Sequence, residues 1–189
     1  MTQHSLFFAL MPEGSDAVQA HALALDLCRR KRLSGAARPR STLHVSLWPI
    51  GWRMREAPSH GLVDLAARAA SQVTARPFTV AMNRVESWTR NRTRGPVALL
   101  GDEGVIGVDD LHRRLAGAFG QTPDQGFNAH MALAWTATPF APEPVDALVW
   151  TVREFVLAHS FVGQSRYEIL KRFPLTSRPS SACRSPAGT

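Results

Sequence analysis

The chain carries one short pattern twice, in Leu43-His44-Val45-Ser46-Leu47 and in Ala129-His130-Met131-Ala132-Leu133. Each copy places a histidine two residues before a small side chain, within an otherwise apolar run. Side chains alternate between the two faces of a β-strand, so the histidine and the small residue of each copy share one face. Each half of the chain then contributes one histidine to a shared cleft. Two imidazoles in one cleft are suited to act as general acid and general base.

Each of the two runs ends in a tryptophan, Trp48 in the first and Trp135 in the second. By the same alternation, Trp48 shares the face of His44, whereas Trp135 points away from His130. Aromatic side chains stack on the bases of single-stranded nucleic acids. Trp48 is therefore predicted to stack on a substrate base, and Trp135 is predicted to belong to the core.

The composition is that of a globular protein with a hydrophobic core, because 44% of the 189 residues are hydrophobic and 20% are charged. The formal net charge is +7, from 22 basic and 15 acidic residues, and most of the basic residues are arginine. Arginine binds phosphate through two parallel hydrogen bonds, so the charge favours an anionic partner. A genome rich in arginine codons explains the same composition equally well.

Targeting and disulfide patterns are missing from the sequence. No apolar run approaches the length of about 20 residues that a membrane-spanning helix needs. The apolar run at 7–11 ends at Pro12 and lacks a basic flank, which indicates a first strand rather than a secretory signal. Two cysteines, Cys28 and Cys183, are too few for a disulfide framework and suit a reducing cytoplasm.

Hydrophobic periodicity predicts the order β-α-β-β, which occurs roughly twice. The predicted strands cover 5–11, 42–48, 78–88, 97–100, 127–136, 149–159 and 166–173, and the predicted helices cover 16–33, 60–72 and 109–119. Ser15 and Ser59 are the expected N-caps of the first two helices, and the first helix is expected to bury Val18, Ala22, Leu25 and either Leu27 or Cys28. This order favours an α+β fold with an antiparallel sheet over a doubly wound parallel sheet.

Further segments keep a fixed order around the two histidine segments: Phe-Phe-Ala-Leu at 7–10, Pro-Ile-Gly at 49–51, a basic loop and strand at 92–100, and a hairpin within 156–175. Together these segments resemble the 2H phosphoesterases, specifically the bacterial RNA 2′,3′-cyclic phosphodiesterases, also called 2′-5′ RNA ligases. That family carries a His-x-Thr/Ser-x motif in each lobe of a pseudo-symmetric, bilobal α+β fold. The resemblance covers about residues 5–175.

For the architecture, the resemblance implies two antiparallel sheets flanked by helices around a central cleft. One bilobal domain is expected over residues 1–175. Residues 176–189 are dominated by Ser, Pro, Gly and Ala, and they are predicted to form a disordered tail.

For the activity, the resemblance implies hydrolysis of an RNA-type 2′,3′-cyclic phosphate to a 2′-phosphate, with 2′-5′ RNA ligation as a side activity. His44 would be the general acid that protonates the 3′ oxygen and His130 the general base, although a substrate bound in the reverse direction exchanges these roles. Ser46 would donate a hydrogen bond to the phosphate. Arg92 and Arg94 would contact RNA phosphates, unless they belong to an ordinary solvated loop.

The expected partner is an RNA or nucleotide that ends in a 2′,3′-cyclic phosphate. We expect no metal or other cofactor, since the sequence lacks His-Glu-x-x-His and Cys-x-x-Cys spacings. The protein is expected to be a cytoplasmic monomer without a membrane anchor or an obligate protein partner.

Ala132 is the main departure from the family pattern, because it stands where the family has a second hydroxyl. Loss of one such donor costs about 10²–10³ in rate, which predicts a weakened enzyme. Two alternatives stay open. One is an enzyme of the same kind that acts on another small cyclic nucleotide, and the other is a catalytically degenerate RNA- or nucleotide-binding module.

Overall fold

The computed structural model describes residues 2–89 and 93–176. Within these ranges the chain forms eight β-strands and three α-helices. The strands are β1 (Gln3–Leu10), β2 (Val45–Met54), β3 (Phe78–Ser87), β4 (Gly95–Leu100), β5 (His130–Thr136), β6 (Glu143–Val152), β7 (Glu154–Val162) and β8 (Arg166–Pro174). The helices are α1 (Gly14–Arg30), α2 (His60–Ala70) and α3 (Ile106–Ala118). No helix in this part of the chain is both long and apolar enough to span a membrane.

All strand pairs are antiparallel, which confirms the predicted α+β class. The strands form one sheet in the order β6-β3-β4-β5-β2-β1-β7-β8, so the prediction of two separate sheets is corrected. Among the residues that the structure describes, β2 and β5 pair only through Val45 and Met131. We call this junction the central seam. Four strands lie on either side of it.

Helix α1 packs against β5 and β6 through a face that shares only Leu27 with the predicted one. Its buried residues are Ala17, Ala20, Ala24 and Leu27. The predicted core residues Val18 and Leu25 are 48% and 53% exposed. Small alanines let the helix backbone approach the sheet closely, and this packing decides the buried face.

The N-cap prediction is confirmed for α2 and wrong for α1. The hydroxyl of Ser59 accepts a hydrogen bond from the backbone N–H of Leu62, at 3.2 Å. Helix α1 begins at Gly14, and the residue before it, Glu13, makes no side-chain capping bond. Ser15 therefore lies inside the first turn instead of capping it.

Two strand predictions are corrected. Strand β2 continues through Pro49 to Met54 instead of ending at the proline. Beyond Val45 the second edge of β2 has no partner strand in the described ranges, and proline is tolerated at such an edge. The predicted strand at 149–159 is the end of β6 and most of β7, which are separated at Arg153.

Alternation along β1 separates two apolar clusters. Leu6, Phe8 and Leu10 belong to the main core under the helices. Phe7 and Ala9 point to the opposite face, where they form a second, smaller cluster with side chains of β7 and β8. This second face is the one on which the histidine segments present their polar residues.

Each histidine strand contains a β-bulge at the same place. In β2, Ser46 pairs with Ala9 while Trp48 pairs with the preceding residue, Phe8, so Leu47 is an extra residue. In β5, Ala132 and Ala134 pair with the consecutive residues 98 and 97 of β4, which makes the intervening leucine the extra residue. After each bulge the alternation of faces is reversed.

Candidate active site

The two histidines flank the central seam. His44 immediately precedes β2, His130 begins β5, and the residues that follow them pair with each other. Continuing that antiparallel register places Ser46 beside His130 and Ala132 beside His44. The structure therefore brings together the two imidazoles, the hydroxyl and the alanine of the repeated pattern.

The two imidazoles are held by the same backbone contact. Nδ1 of His44 lies 2.8 Å from the carbonyl oxygen of Thr42, and Nδ1 of His130 lies 2.8 Å from that of Asn128. A carbonyl oxygen only accepts, so Nδ1 carries the proton and donates it in both cases. Nε2 is then the basic nitrogen of each ring.

The pKa values of both imidazoles lie below the ordinary value. Burial, the positive charge of Arg38 and the neighbouring His130 lower the pKa of His44 to about 4, although its hydrogen bond to Thr42 opposes the shift. Burial also lowers the pKa of His130, against the effect of its bond to Asn128. Both rings are therefore neutral at pH 7, and the charge on each is sensitive to its neighbours.

Aromatic and cationic side chains surround His44. Its ring lies 5.1 Å from that of Phe7 and 5.2 Å from that of Tyr167, measured between centroids. Arg38 donates from Nη2 to the hydroxyl of Tyr167, at 2.7 Å, and to the carbonyl of Thr42, at 3.2 Å.

Sequence reasoning gave neither Arg38 nor Tyr167 a chemical role. The signal for Arg38 is its position shortly before the first histidine, and the signal for Tyr167 is its place in the closing hairpin. Neither position repeats around His130, so the repeated pattern itself could not indicate them.

A tryptophan that the sequence did not single out lies against His130. The ring centroids of Trp88 and His130 are 4.4 Å apart, with the planes tilted by 55°. Trp88 follows β3 and donates its indole N–H to Glu86. It is partly exposed, so Trp88 is the aromatic side chain that borders this half of the site.

The structure corrects the predicted positions of Trp48, in the cleft, and of Trp135, in the core. Trp48 is only 7% exposed and packs against His112 of α3, so it does not reach the histidine pair. Trp135 is 38% exposed instead of belonging to the core. The bulges at Leu47 and Leu133 explain both corrections, because each reverses the face on which the following residues point.

The two predicted phosphate-binding arginines lie away from the pair or outside the described residues. Arg92 lies outside the ranges that the structure describes. Arg94 is exposed, and its guanidinium lies where a side chain on Gly35 would stand, next to the backbone carbonyl of Trp135. That point lies about 16 Å along β5 from His130 at the usual rise of a strand. Arg94 therefore lies well away from the histidine pair.

The groups at this site are suited to acid–base chemistry on a phosphodiester. They are two imidazoles with a basic Nε2, a hydroxyl and an adjacent cation. In the described part of the chain, no group of three or more His, Cys, Asp or Glu side chains is arranged to hold a metal ion.

No protein-family model and no curated protein sequence matches the chain. Solved structures do match it. Apo LigT of Escherichia coli has a TM-score of 0.71 and 23% identity, over 93% of this chain and 99% of LigT. LigT complexed with 3′-AMP has a TM-score of 0.70 and 22% identity, over 92% and 99%. The chain has the LigT fold.

A crystal structure described as a phosphoesterase has the same degree of similarity, with a TM-score of 0.71 and 20% identity over 92% of this chain and 99% of the other. The resemblance predicted from the sequence is therefore confirmed in the fold. The LigT fold extends over almost the whole length of each chain.

Proposed function

We propose that the chain is a phosphodiesterase that hydrolyses RNA-type 2′,3′-cyclic phosphates to 2′-phosphates, with His44 and His130 as its acid–base pair. The observation that carries the proposal is the matched backbone contact of the two imidazoles. Each is bound through Nδ1 to the carbonyl two residues earlier, and the two lie on opposite sides of the central seam. LigT, which has the same fold, has been crystallised with 3′-AMP and with phosphate.

The reaction requires one neutral and one protonated imidazole. The neutral ring takes a proton from water through Nε2, and the resulting hydroxide attacks phosphorus in line with the 3′ oxygen. The bond from phosphorus to that oxygen breaks, and the protonated ring donates its proton to the leaving oxygen. An anionic phosphate between the rings raises their pKa values and so favours the singly protonated pair. The hydroxyl of Ser46 donates a hydrogen bond to a non-bridging oxygen.

The proposal includes residues 1–175 as one bilobal domain, with the four strands on each side of the central seam as pseudo-symmetric lobes. It also includes a cytoplasmic monomer that acts on RNA or nucleotides, with 2′-5′ ligation as a side reaction. No metal ion or other cofactor takes part in this mechanism.

Ala132 favours a second candidate function. Next to His44 it presents a methyl group where the repeated pattern has a hydroxyl on the other side, so one stabilising donor is missing. A nucleotide-binding module that retains the cleft without the rate is consistent with this difference. An enzyme for another small cyclic nucleotide is the third possibility that the substitution allows.

The test measures turnover of adenosine 2′,3′-cyclic phosphate with and without EDTA, with 2′-AMP identified as the product. Wild-type turnover is expected to survive EDTA. His44→Ala and His130→Ala are each expected to lower kcat by about 10²–10⁴, the usual contribution of a general acid or base. His60→Ala, on an exposed histidine at the start of α2, is the matched control and should leave kcat unchanged.

Binding of 2′-AMP without turnover would support the binding module instead. A requirement for added metal would contradict the proposed mechanism.

A further inference from the structure

Hydrogen bonds to its backbone hold Arg38 in place, independently of its side chain. Its N–H donates to the carbonyl of Leu133 in β5, at 2.8 Å. Its own carbonyl lies 2.8 Å from Nδ1 of His21 in α1. The segment that precedes the first histidine is thus attached to the strand that carries the second one. The position of the Arg38 side chain is therefore defined relative to both halves of the site.

The guanidinium of Arg38 lies beside the Nδ1 edge of His44. Nη2 of Arg38 and Nδ1 of His44 both donate to the carbonyl oxygen of Thr42, at 3.2 and 2.8 Å. The same Nη2 also donates to Tyr167, whose ring contacts His44 edge-on. Nε of Arg38 is buried and has no hydrogen-bond partner within the described ranges. A cation and an imidazole thus share one acceptor.

This arrangement disfavours a proton on His44. Arginine stays charged at every relevant pH, so protonation of His44 would place two positive charges around one carbonyl oxygen. The charged and titratable groups that face His44 are Arg38 from the preceding segment, Tyr167 from β8 and His130 from β5. None of these groups is a carboxylate that would compensate an imidazolium.

His130 has a different environment. It contacts the ring of Trp88 and donates to the carbonyl of Asn128. Burial lowers its pKa and that hydrogen bond opposes the shift, and among residues 2–89 and 93–176 no cation contributes to it. Of the two rings, His130 is the one that more readily holds the proton when a substrate anion enters.

We propose that Arg38 is a positioning residue that makes His44 the general base and leaves His130 as the general acid. These roles are the reverse of those that the family resemblance implies, and the inference rests on the proposed function. Nε2 of His44 takes the proton from water as the oxygen forms its bond to phosphorus. Nε2 of His130 gives its proton to the ribose oxygen as the bond from phosphorus to that oxygen breaks. The pair ends with one proton, now on His44, and exchange with solvent deprotonates His44 and protonates His130 again before the next cycle.

The first experiment follows the His44 pKa directly by NMR titration of the imidazole nitrogens. Arg38→Gln is expected to raise the pKa of His44, because the nearby charge is removed. Arg38→Lys keeps the charge and should leave the pKa low, which separates electrostatics from a loss of structure. Arg40→Gln, at a neighbouring exposed arginine, is the matched control. An unchanged His44 pKa in Arg38→Gln would overturn the role of Arg38, whether or not the protein is an enzyme.

The second experiment distinguishes the acid from the base through the leaving group. Thymidine 3′-(p-nitrophenyl phosphate) releases a stable phenolate that needs no protonation, whereas a cyclic phosphate releases an alkoxide. His130→Ala is expected to lose about 10²-fold or more on the cyclic phosphate but less than about tenfold on the aryl ester. His44→Ala should lose activity on both substrates.

Selective rescue of His44→Ala by the aryl ester would overturn the assignment of roles. Wild-type protein without turnover of the cyclic phosphate would refute the proposed function instead. The NMR titration would still decide the effect of Arg38 in that case.

Discussion

The His44 and His130 segments share a backbone design but differ in what surrounds them. Both hold Nδ1 on the carbonyl two residues earlier, and both are followed by a bulge after the small residue. Around His44, however, are Arg38 and Tyr167, whereas His130 lies against Trp88. Local sequence thus sets the position of each imidazole, and side chains from distant elements set its protonation. Two similar motifs can then perform opposite proton transfers.

Apart from the two histidines, the largest effect is expected where the two segments differ in chemistry, at Ser46 and Ala132. Ser46→Ala should lower kcat for a cyclic mononucleotide by about 10²–10³, because one donor to the phosphate is lost. Ala132→Ser should raise kcat, by up to about 10², since it adds a donor beside His44. Steady-state kinetics measures both, and Ser15→Ala at an exposed serine is the control. If Ala132→Ser gives no increase, the alanine is not a catalytic deficit.

A second comparison concerns stability below neutral pH. The pKa of His44 falls from 6.5 to about 4 on folding, so its contribution is present above pH 6.5 and is lost as pH falls toward 4. The loss amounts to about 3 kcal/mol in the free energy of unfolding. The free energy of unfolding, measured with urea, should fall between pH 7 and pH 4 in the wild type. In His44→Gln this fall should be smaller by that amount. The exposed His60→Gln should behave as wild type, and an equal drop in both variants would show that His44 is not the group responsible.

The smallest effect is expected at Arg94, which precedes β4 and lies near Trp135, at the end of β5 that is far from His130. Arg94→Gln should raise KM several-fold for a short oligonucleotide with a cyclic end and leave KM for the mononucleotide unchanged. It should also reduce, by about 1, the slope of the logarithm of the oligonucleotide binding constant against the logarithm of the salt concentration, as expected for the loss of one phosphate contact. Arg68→Gln, on the exposed face of α2, is the control. Equal effects on both substrates would place Arg94 at the reacting phosphate.

The sequence predicted the α+β class, most of the elements and the meeting of His44, His130 and Ser46, because these follow from local patterns. The predicted buried face of α1 is wrong at Val18 and Leu25. Their larger apolar side chains indicate the core, whereas close packing against the sheet buries the alanines. Strands β6 and β7, which are separated at Arg153, are predicted from the sequence as one strand, because an apolar run does not show where one strand ends and the next begins.

The errors at Trp48 and Trp135 have one physical cause. Strict alternation fails after a bulge, and bulges are set by the pairing of two strands rather than by one strand alone. Arg38 and Tyr167 were missed for a related reason. Their role depends on contacts between the segment before β2 and the end of the chain, which no local pattern reveals.

The central seam is the junction of the sheet with the fewest paired residues, and it lies between the two histidines. The other neighbouring strand pairs have four or more paired residues, whereas β2 and β5 share one, supported by the bond from Arg38 to Leu133. Few backbone bonds therefore join the two halves at the site, and the main apolar core, to which strands on both sides of the seam contribute, holds them together. The spacing between the acid and the base then depends on side-chain packing beneath the sheet rather than on a ladder of hydrogen bonds across it.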